Sequence, residues 1–542
     1  MTQRTTLILP SACALVLACQ LDTEAAYQDY IDSGGETSSD TSDDADEDAS
    51  TTGDFEPIAT STSGPSVPPT GDAPQGGPEI LGFTLDPATV NEAGPVSILV
   101  EHTPDVAAVM LFDIYDGETR LLAELGPDEP WTYAITSEAD FEGIHELHAI
   151  VVDDQDRWAE AATELTVDLP PGGSMIWINE GEGDQSTLNF SLAAAAVESG
   201  VVVAGIDLNA GSGHAFARLY AGNTGDLMWS YEAPKGVYIS DVEGTPDGGV
   251  VLVGHIELND TRQAWVHQLG PDGVPALPSP IEWLTNTSAI AVAVDDDGGL
   301  YVAGEVIQVG MFEHTDIFVW HLPAEGQGMP AWAMWGTDVG NTLDDHASSI
   351  TITDDHRVFV GGSTKVATGN NTFADRMAVF EYSNVDILLR WVADGGTTEE
   401  SDGLGVAMLE DDVVIAGWQR LSLNDPQTMT AVRLHETSQG ASLYPVWSYP
   451  AGASLDGQLV DIKRDPNDRV VVVASEPGTP DRLTTIALRA SGYPAWTEDW
   501  VHFGNGDTTA SSVAVDEYGY VYFVGTTAAN GVFRTLVGKR RP

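Results

Sequence analysis

One pattern recurs through the carboxy-terminal two thirds of the chain and limits the folds open to it: a short apolar strand that ends in glycine. It reads Val201-Val202-Val203-Ala204-Gly205, Val250-Val251-Leu252-Val253-Gly254, Leu300-Tyr301-Val302-Ala303-Gly304, Val358-Phe359-Val360-Gly361-Gly362, Val413-Val414-Ile415-Ala416-Gly417 and Val521-Tyr522-Phe523-Val524-Gly525. A seventh copy, Val470-Val471-Val472-Val473-Ala474, lacks the glycine. The markers at 205, 254, 304, 362, 417, 474 and 525 stand 49 to 58 residues apart. A repeat of that length is one supersecondary unit that cannot bury its apolar face alone, so the copies must stack.

Each marker strand follows a turn rich in Asp and Gly, such as Asp247-Gly248-Gly249 or Asp295-Asp296-Asp297-Gly298-Gly299, the composition of a tight hairpin with left-handed backbone angles. Before the turn lies a strand of small residues, as in Ala193-Ala194-Ala195-Ala196 and Ala289-Ile290-Ala291-Val292-Ala293, suited to a narrow axis where sheets converge. A third strand follows the marker, as in Ile317-Phe318-Val319-Trp320-His321-Leu322, and a fourth ends in tryptophan at Trp229, Trp283, Trp335, Trp391, Trp447 and Trp500. Four short antiparallel strands per unit, repeated seven times, make an all-β, seven-bladed β-propeller over residues 174–542.

The seventh unit reaches its third strand at Phe533-Arg534-Thr535-Leu536-Val537 and has no fourth strand of its own. Upstream, Met175-Ile176-Trp177-Ile178 carries a tryptophan in register with the others, so residues 174–180 are expected to add the missing strand to the last blade and pair its edge.

On these motifs the chain resembles bacterial proteins with seven-bladed propeller repeats, whose blades carry a turn, a Val-rich strand ending in Gly and a last strand with Trp. The first unit also resembles the quinoprotein-type repeat at Ala221-Gly222-Asn223-Thr224-Gly225-Asp226-Leu227-Met228-Trp229, while the others mostly lose its Thr-Gly. Quinone-cofactor dehydrogenases of that kind typically have eight blades, and the count of seven and the absence of vicinal cysteines argue against such an activity. The resemblance implies a fold and leaves function open.

At the amino terminus, Arg4 precedes an apolar run from Leu7 to Ala18, about the length of a signal-peptide core and too short for a mature membrane span. Val16-Leu17-Ala18-Cys19 resembles a bacterial lipobox, which implies cleavage before Cys19 and lipidation of that cysteine, so residues 1–19 are read as a lipoprotein signal. Gln20 in the next position implies, by the same resemblance, sorting to the outer membrane. Residues 20–77 are Ser, Thr, Asp, Gly and Pro rich, with no Lys or Arg between Arg4 and Arg120, and are expected to be a disordered acidic tether. Residues 78–170 alternate apolar and polar positions in short segments, as in His145-Leu147-Ala149-Val151, and are expected to form an immunoglobulin-like β-sandwich. His145 and His148, three apart in one strand, should lie on opposite faces and be structural.

The chain has 84 Asp and Glu against 21 Lys and Arg, a formal net charge of −63. Such a surface repels phosphate backbones and anionic lipid patches, which disfavours nucleic acid as a partner and leaves cations and cationic partners open. Both cysteines, Cys13 and Cys19, lie in the signal segment, so no thiol chemistry or cysteine-ligated metal is available to the folded part. No nucleophile elbow, His-Glu-x-x-His helix or repeated sialidase box occurs, and no cofactor or metal site is expected. Asp295, Asp296 and Asp297 are read as hairpin residues, and His255, His267, His314, His321, His346, His356, His435 and His502 as solvated or packed within strands. Lys539-Arg540-Arg541 is read as a solvated tail. Tryptophans outside the once-per-unit register, namely Trp265, Trp320, Trp332, Trp418 and Trp496, are the candidate binding-surface aromatics. The longest stretches between second and third strands, 305–315, 363–374 and 418–428, are the expected binding face.

The sequence therefore points to a lipid-anchored envelope protein that is more readily a recognition or scaffolding module, binding a protein or glycan, than an enzyme. The alternatives are a glycan-acting hydrolase or lyase at the propeller mouth, favoured by three or more close carboxylates or histidines there, and a passive envelope spacer.

Overall fold

The computed structural model describes residues 77–542 apart from short internal stretches, the longest being 335–343. Cys19 and residues 20–76 of the acidic tether lie outside the described residues. Every regular element among those described is a β-strand.

A three-stranded sheet joins Ile80–Asp86, Gly94–His102 and Trp131–Ile135. A five-stranded sheet runs in the order Thr89–Val90, Trp158–Val167, Gly143–Asp153, Val106–Tyr115, Glu118–Leu125. Val96 and Ile98 of the first meet Val109, Leu111, Leu147 and Leu165 of the second in one buried cluster. Alternation along Gly143–Asp153 buries His145, Leu147 and Ala149 and leaves Ile144 and Glu146 exposed. His145 Nδ1 lies 3.0 Å from the buried Asp113 Oδ2, and its ring stacks on Tyr115 at 4.3 Å. His148, on the other face, has its Nδ1 2.5 Å from Glu160 Oε1. Both imidazoles are thus held by carboxylates on opposite sides of one sheet.

Seven four-stranded sheets follow, numbered one to seven along the chain, each pairing its strands antiparallel. Their second strands are Gly200–Asn209, Val250–Leu258, Leu300–Gln308, Val358–Gly369, Asp412–Arg420, Arg469–Glu476 and Val521–Ala529, the apolar runs of the sequence. They read as unbroken apolar stretches because neighbours cover both faces. Val470 to Val473 are all fully buried, and each such side chain contributes about 1.5–2 kcal/mol of burial. Sheets one and two share a core through Val202, Leu252 and Trp265, two and three through Val253, Val302 and Phe318, and three and four through Ala303, Val360 and Phe380. Four and five meet through Phe359 and Ile415, five and six through Ala416 and Val472, and six and seven through Val473 and Phe523. Sheets seven and one share Ala514, Tyr522, Ala194 and Val203. The chain is an all-β protein with a propeller-like arrangement of small sheets.

The seventh sheet runs Asp507–Val515, Val521–Ala529, Val532–Arg540, Met175–Glu180, so the upstream segment pairs antiparallel with the last strand, Ile178 opposite Gly538 and Trp177 opposite Lys539. This arrangement corrects the reading of the basic cluster. Lys539 and Arg540 belong to that last strand and are buried: Lys539 Nζ sits 4.0 Å above the Tyr520 ring, and Arg540 donates to Gly173 O at 2.9 Å.

The hairpins before the second strands need a residue with positive φ, filled by Gly248, Gly298 and Gly519 in three sheets and by His356, Glu410 and Asp468 in three others. Their aspartates serve the turn: Asp295 accepts from Gly299 N, and Asp465 Oδ1 from the backbone of Asn467 and Arg469 at 2.9 and 3.0 Å. A second hairpin joins the third strand to the fourth, and on it lies the tryptophan of the preceding sheet. Trp177 covers Gly225, Trp229 covers Gly273 and Trp447 covers Gly492, each glycine with φ between 73° and 82°. Their indoles donate to backbone carbonyls of the same turns, Gly222, Pro271 and Ala490, at 2.8–3.0 Å.

Candidate functional site

Two places on either side of the first-strand bulges collect polar side chains. Every first strand has a bulge at the same level, after Ser191, Ile239, Ala289, Ala347, Gly403, Leu459 and Ala510, which resets which side chains face their neighbours. Beyond the bulge, all seven first strands line one cavity of about 290 Å3, walled by alanines such as Ala195, Ala293 and Ala407, by larger apolar residues such as Ile350 and Met408, and by the charged Glu243, Lys463 and Arg464.

Within that hub, Lys463 Nζ of sheet six reaches Glu243 Oε2 of sheet two at 3.0 Å, with the two side chains 31% and 29% exposed. Burial opposes the charge on Lys463, but Glu243, Asp461 and Asp241 outweigh it and hold the ammonium above the ordinary lysine range. Asp241 accepts from Val242 N at 2.8 Å and from Val292 N of the next sheet at 2.9 Å. Asp461 does the same with Ile462 N and Val513 N, and also takes the Ser512 hydroxyl at 2.6 Å. Burial pushes the Asp241 carboxyl up to about 7 despite Lys463 and the Val292 amide. Three carboxylates therefore meet at the hub, but two act as braces between sheets and the third is paired.

On the other side of the bulge, where the second strands run toward the third, sheets three to five bring acids and a histidine together. Glu305 follows marker Gly304, His346 opens the first strand of sheet four opposite Ser363, and Asp402 pairs in register with Trp418 in sheet five. His346 Nδ1 lies 2.9 Å from Glu305 Oε1. Burial disfavours the imidazolium, but that bond and the carboxylates of Glu305, Asp402 and Asp344 prevail and raise its pKa. Burial pushes Asp402 up to about 6, against a hydrogen bond from Ser363 and the attraction of His346. Beside them, Lys365 Nζ holds Asp344 Oδ2 at 2.7 Å and the buried Asp345 accepts from Thr364. Such a cluster can attract an organic cation or exchange a proton near neutral pH, while among the described residues no three acids or histidines are placed to hold a metal ion.

Three of the candidate aromatics, Trp265, Trp320 and Trp418, are buried rather than displayed on the surface. Trp265 and Trp320 are 1% exposed, in the cores between sheets one and two and between two and three. Trp418 is 7% exposed at the acidic cluster, with Arg420 over its ring at 5.4 Å. Trp332 pairs with Trp320 across the third and fourth strands of sheet three. Trp496 and Trp500 both lie in the fourth strand of sheet six, Pro494–Trp500: Trp496 pairs with Ala487 and lies over Gly173, the place the tryptophans take over the turns of other sheets, while Trp500, opposite Leu483, is a buried core residue. Trp265 and Trp320 are buried because the third strands that carry them have both faces covered by neighbouring strands and sheets. The expected loops are also shorter than the sequence suggests, because the second strands continue to Gln308, Gly369 and Arg420. Of the described histidines, only His346 joins an acid from another sheet in this cluster; His255 and His267 are packed within strands, and His502 lies outside the described residues. Sequence reasoning does not reach Glu305, Asp402, Asp241, Glu243 and Lys463. Their signal is a charged residue in a fixed place of the repeat: directly after the marker glycine for Glu305, just past the first-strand bulge for Asp241, Glu243 and Lys463, and just before that bulge for Asp402.

No family model matches the chain, and no curated protein is similar to it in sequence. Among solved structures, a protein of unknown function from Dyadobacter fermentans is 10% identical, with a TM-score of 0.41, covering 69% of this chain and all of its own. A protein from Lactobacillus plantarum is 13% identical, TM-score 0.37, covering 72% of this chain and 95% of that one. A Synechocystis apocarotenoid oxygenase mutant is 8% identical, TM-score 0.36, covering 74% and 91%. At these values the likenesses carry no argument about activity.

Proposed function

We propose that the chain is a non-catalytic recognition lipoprotein of the cell envelope, held in the outer membrane through Cys19 and presenting a closed seven-bladed β-propeller behind an acidic tether and an immunoglobulin-like sandwich. Support for closure comes from the core that sheets seven and one share and from the pairing of Met175–Glu180 with Val532–Arg540. The observation that carries the recognition reading is the convergence of Glu305, His346 and Asp402 from three consecutive sheets at one end of the axis. With a net charge of −63, the partner this face suits is cationic. The test is affinity capture from envelope extract with the full chain and with a Glu305→Gln/Asp402→Asn variant. A partner retained by the first and lost by the second supports the reading, and identical captures overturn it.

A second reading, a glycan-acting hydrolase or lyase, draws on the same cluster, since a histidine with raised pKa beside carboxyls is a general acid–base pair in kind. Release of reducing ends from envelope polysaccharide, lost in His346→Ala, would establish it.

A further inference from the structure

Trp418 and Asp402 are directly opposite each other in Asp412–Arg420 and Glu400–Leu409, so their side chains leave the same face of sheet five. Trp418 is more than nine-tenths buried, at 7% exposure, yet its indole Nε1 has no hydrogen-bond acceptor among the described residues. Asp402 Oδ1 likewise has no donor among them. An indole can only donate and a carboxylate only accept, and buried polar groups of native proteins are ordinarily satisfied. One unfilled donor beside one unfilled acceptor, in register, is a pair that a ligand completes.

The surrounding charge decides the ligand's chemistry. Asp402 is within electrostatic reach of Glu305 and Asp375 as well as His346. The nearby cations are already engaged, Lys365 by Asp344 at 2.7 Å, Arg420 by Glu400 at 2.6 Å and the His346 imidazole by Glu305 at 2.9 Å. A neutral hydroxyl would satisfy the orphan atoms and leave the carboxylates uncompensated, whereas an ammonium or guanidinium does both for Asp402. Trp418 then needs a carbonyl, which a peptide carries within a few bonds of its basic side chain.

We propose that Asp402 and Trp418 form a subsite for one lysine or arginine of a basic peptide segment, its cationic head donating to Asp402 Oδ1 beside Glu305 and a peptide carbonyl accepting from Trp418 Nε1. This rests on the recognition reading and names its partner as a peptide.

The full chain is labelled with 5-fluorotryptophan, the Trp418 resonance assigned by its loss in Trp418→Phe, and ligands titrated at about 0.15 M salt so that diffuse attraction is screened. Nα-acetyl-lysine amide should shift that resonance saturably. Nα-acetyl-norleucine amide, of the same shape without the charge, should bind at least about tenfold more weakly, a difference of about 1.4 kcal/mol. Asp402→Asn and Glu305→Gln should each weaken the lysine ligand by a similar factor with the melting temperature preserved; Glu305→Gln is decisive if Asp402→Asn unfolds. A Trp418 resonance unmoved by the lysine ligand, moved equally by norleucine or by methyl β-glucoside, or moved equally in Glu305→Gln, overturns the subsite. If the lysine ligand fails while capture of an envelope partner still depends on Glu305 and Asp402, the subsite falls and the recognition reading stands. If it binds and no partner is captured, the reverse holds.

Discussion

The indole of Trp177, in the strand that completes sheet seven, donates to Gly222 O of sheet one at 3.0 Å and lies against Gly225 of the same turn. One side chain thus ties an upstream segment at once to the last sheet and to the first. Trp177→Ala should cost about 2–4 kcal/mol, combining lost packing with an unpaired carbonyl. Urea denaturation followed by tryptophan fluorescence is the measurement, and an unchanged midpoint would show that the seam does not hold the domain.

Gly492 and Gly248 provide a matched pair. Both have φ near +80°, but a Cβ on Gly492 would meet Trp447 at 2.7 Å, and one on Gly248 would meet only Pro271 at 3.7 Å. Gly248→Ala should cost about 1 kcal/mol of backbone strain, and Gly492→Ala at least about 1 kcal/mol more from overpacking. Equal thermal shifts for the two would refute the packing of the indole against its glycine as a source of stability.

Lys463 is the counter-charge of the hub. Lys463→Met should destabilise by about 1–3 kcal/mol, less than for a fully buried pair because both partners retain some exposure. Adding Glu243→Met should recover part of that loss. A double-mutant cycle with no coupling energy would contradict the pairing.

Asp241 sets a pH dependence whose sign follows from its folded pKa of about 7 against an ordinary 3.8. The folded state binds this proton more tightly, so the stability it confers is full below 3.8 and is lost as pH rises through about 7. Asp241→Asn should therefore shrink the fall in melting temperature between about pH 4.5 and pH 8, measured by calorimetry. The lysine of the hub titrates above this window and does not contribute to the slope. An undiminished fall would place the dependence on other carboxyls, such as Asp402.

Periodicity carries most of this architecture, because a strand buried on both faces must be apolar throughout and a hairpin with positive φ favours Gly, Asp or Asn, though His356 and Glu410 also fill that position. Even the fourth strand of sheet seven is legible, from Trp177 standing in register ahead of the first unit. What the residues do not show is strand register within a unit. Trp496 and Trp500 are both plausible as the inter-sheet tryptophan by sequence, and only the pairing with Ala487 and the contact with Gly173 separates them. The bulges are invisible for a related reason: one extra residue among Ala, Ser and Val changes no composition, yet it decides that Asp241, Glu243 and Lys463 meet. The acidic cluster is equally hidden, since Glu305, His346 and Asp402 are about 40 to 100 residues apart in sequence and come together only through the stacking of three sheets.

The contact of Gly173 with Arg541 has a topological consequence. Gly173 N donates to Arg541 O at 3.0 Å and Arg541 N to Ser174 O at 2.9 Å, and Gly173 holds the same left-handed angle beneath Trp496 that Gly225 holds beneath Trp177. The junction is a hairpin in every respect but the covalent one. With the residues before Gly172 removed, a short linker there and new ends opened at the tip near Gly492 should yield a circular permutant of the seven sheets that keeps the same cores, and the place where the polypeptide is cut becomes a matter of genetics and not of architecture.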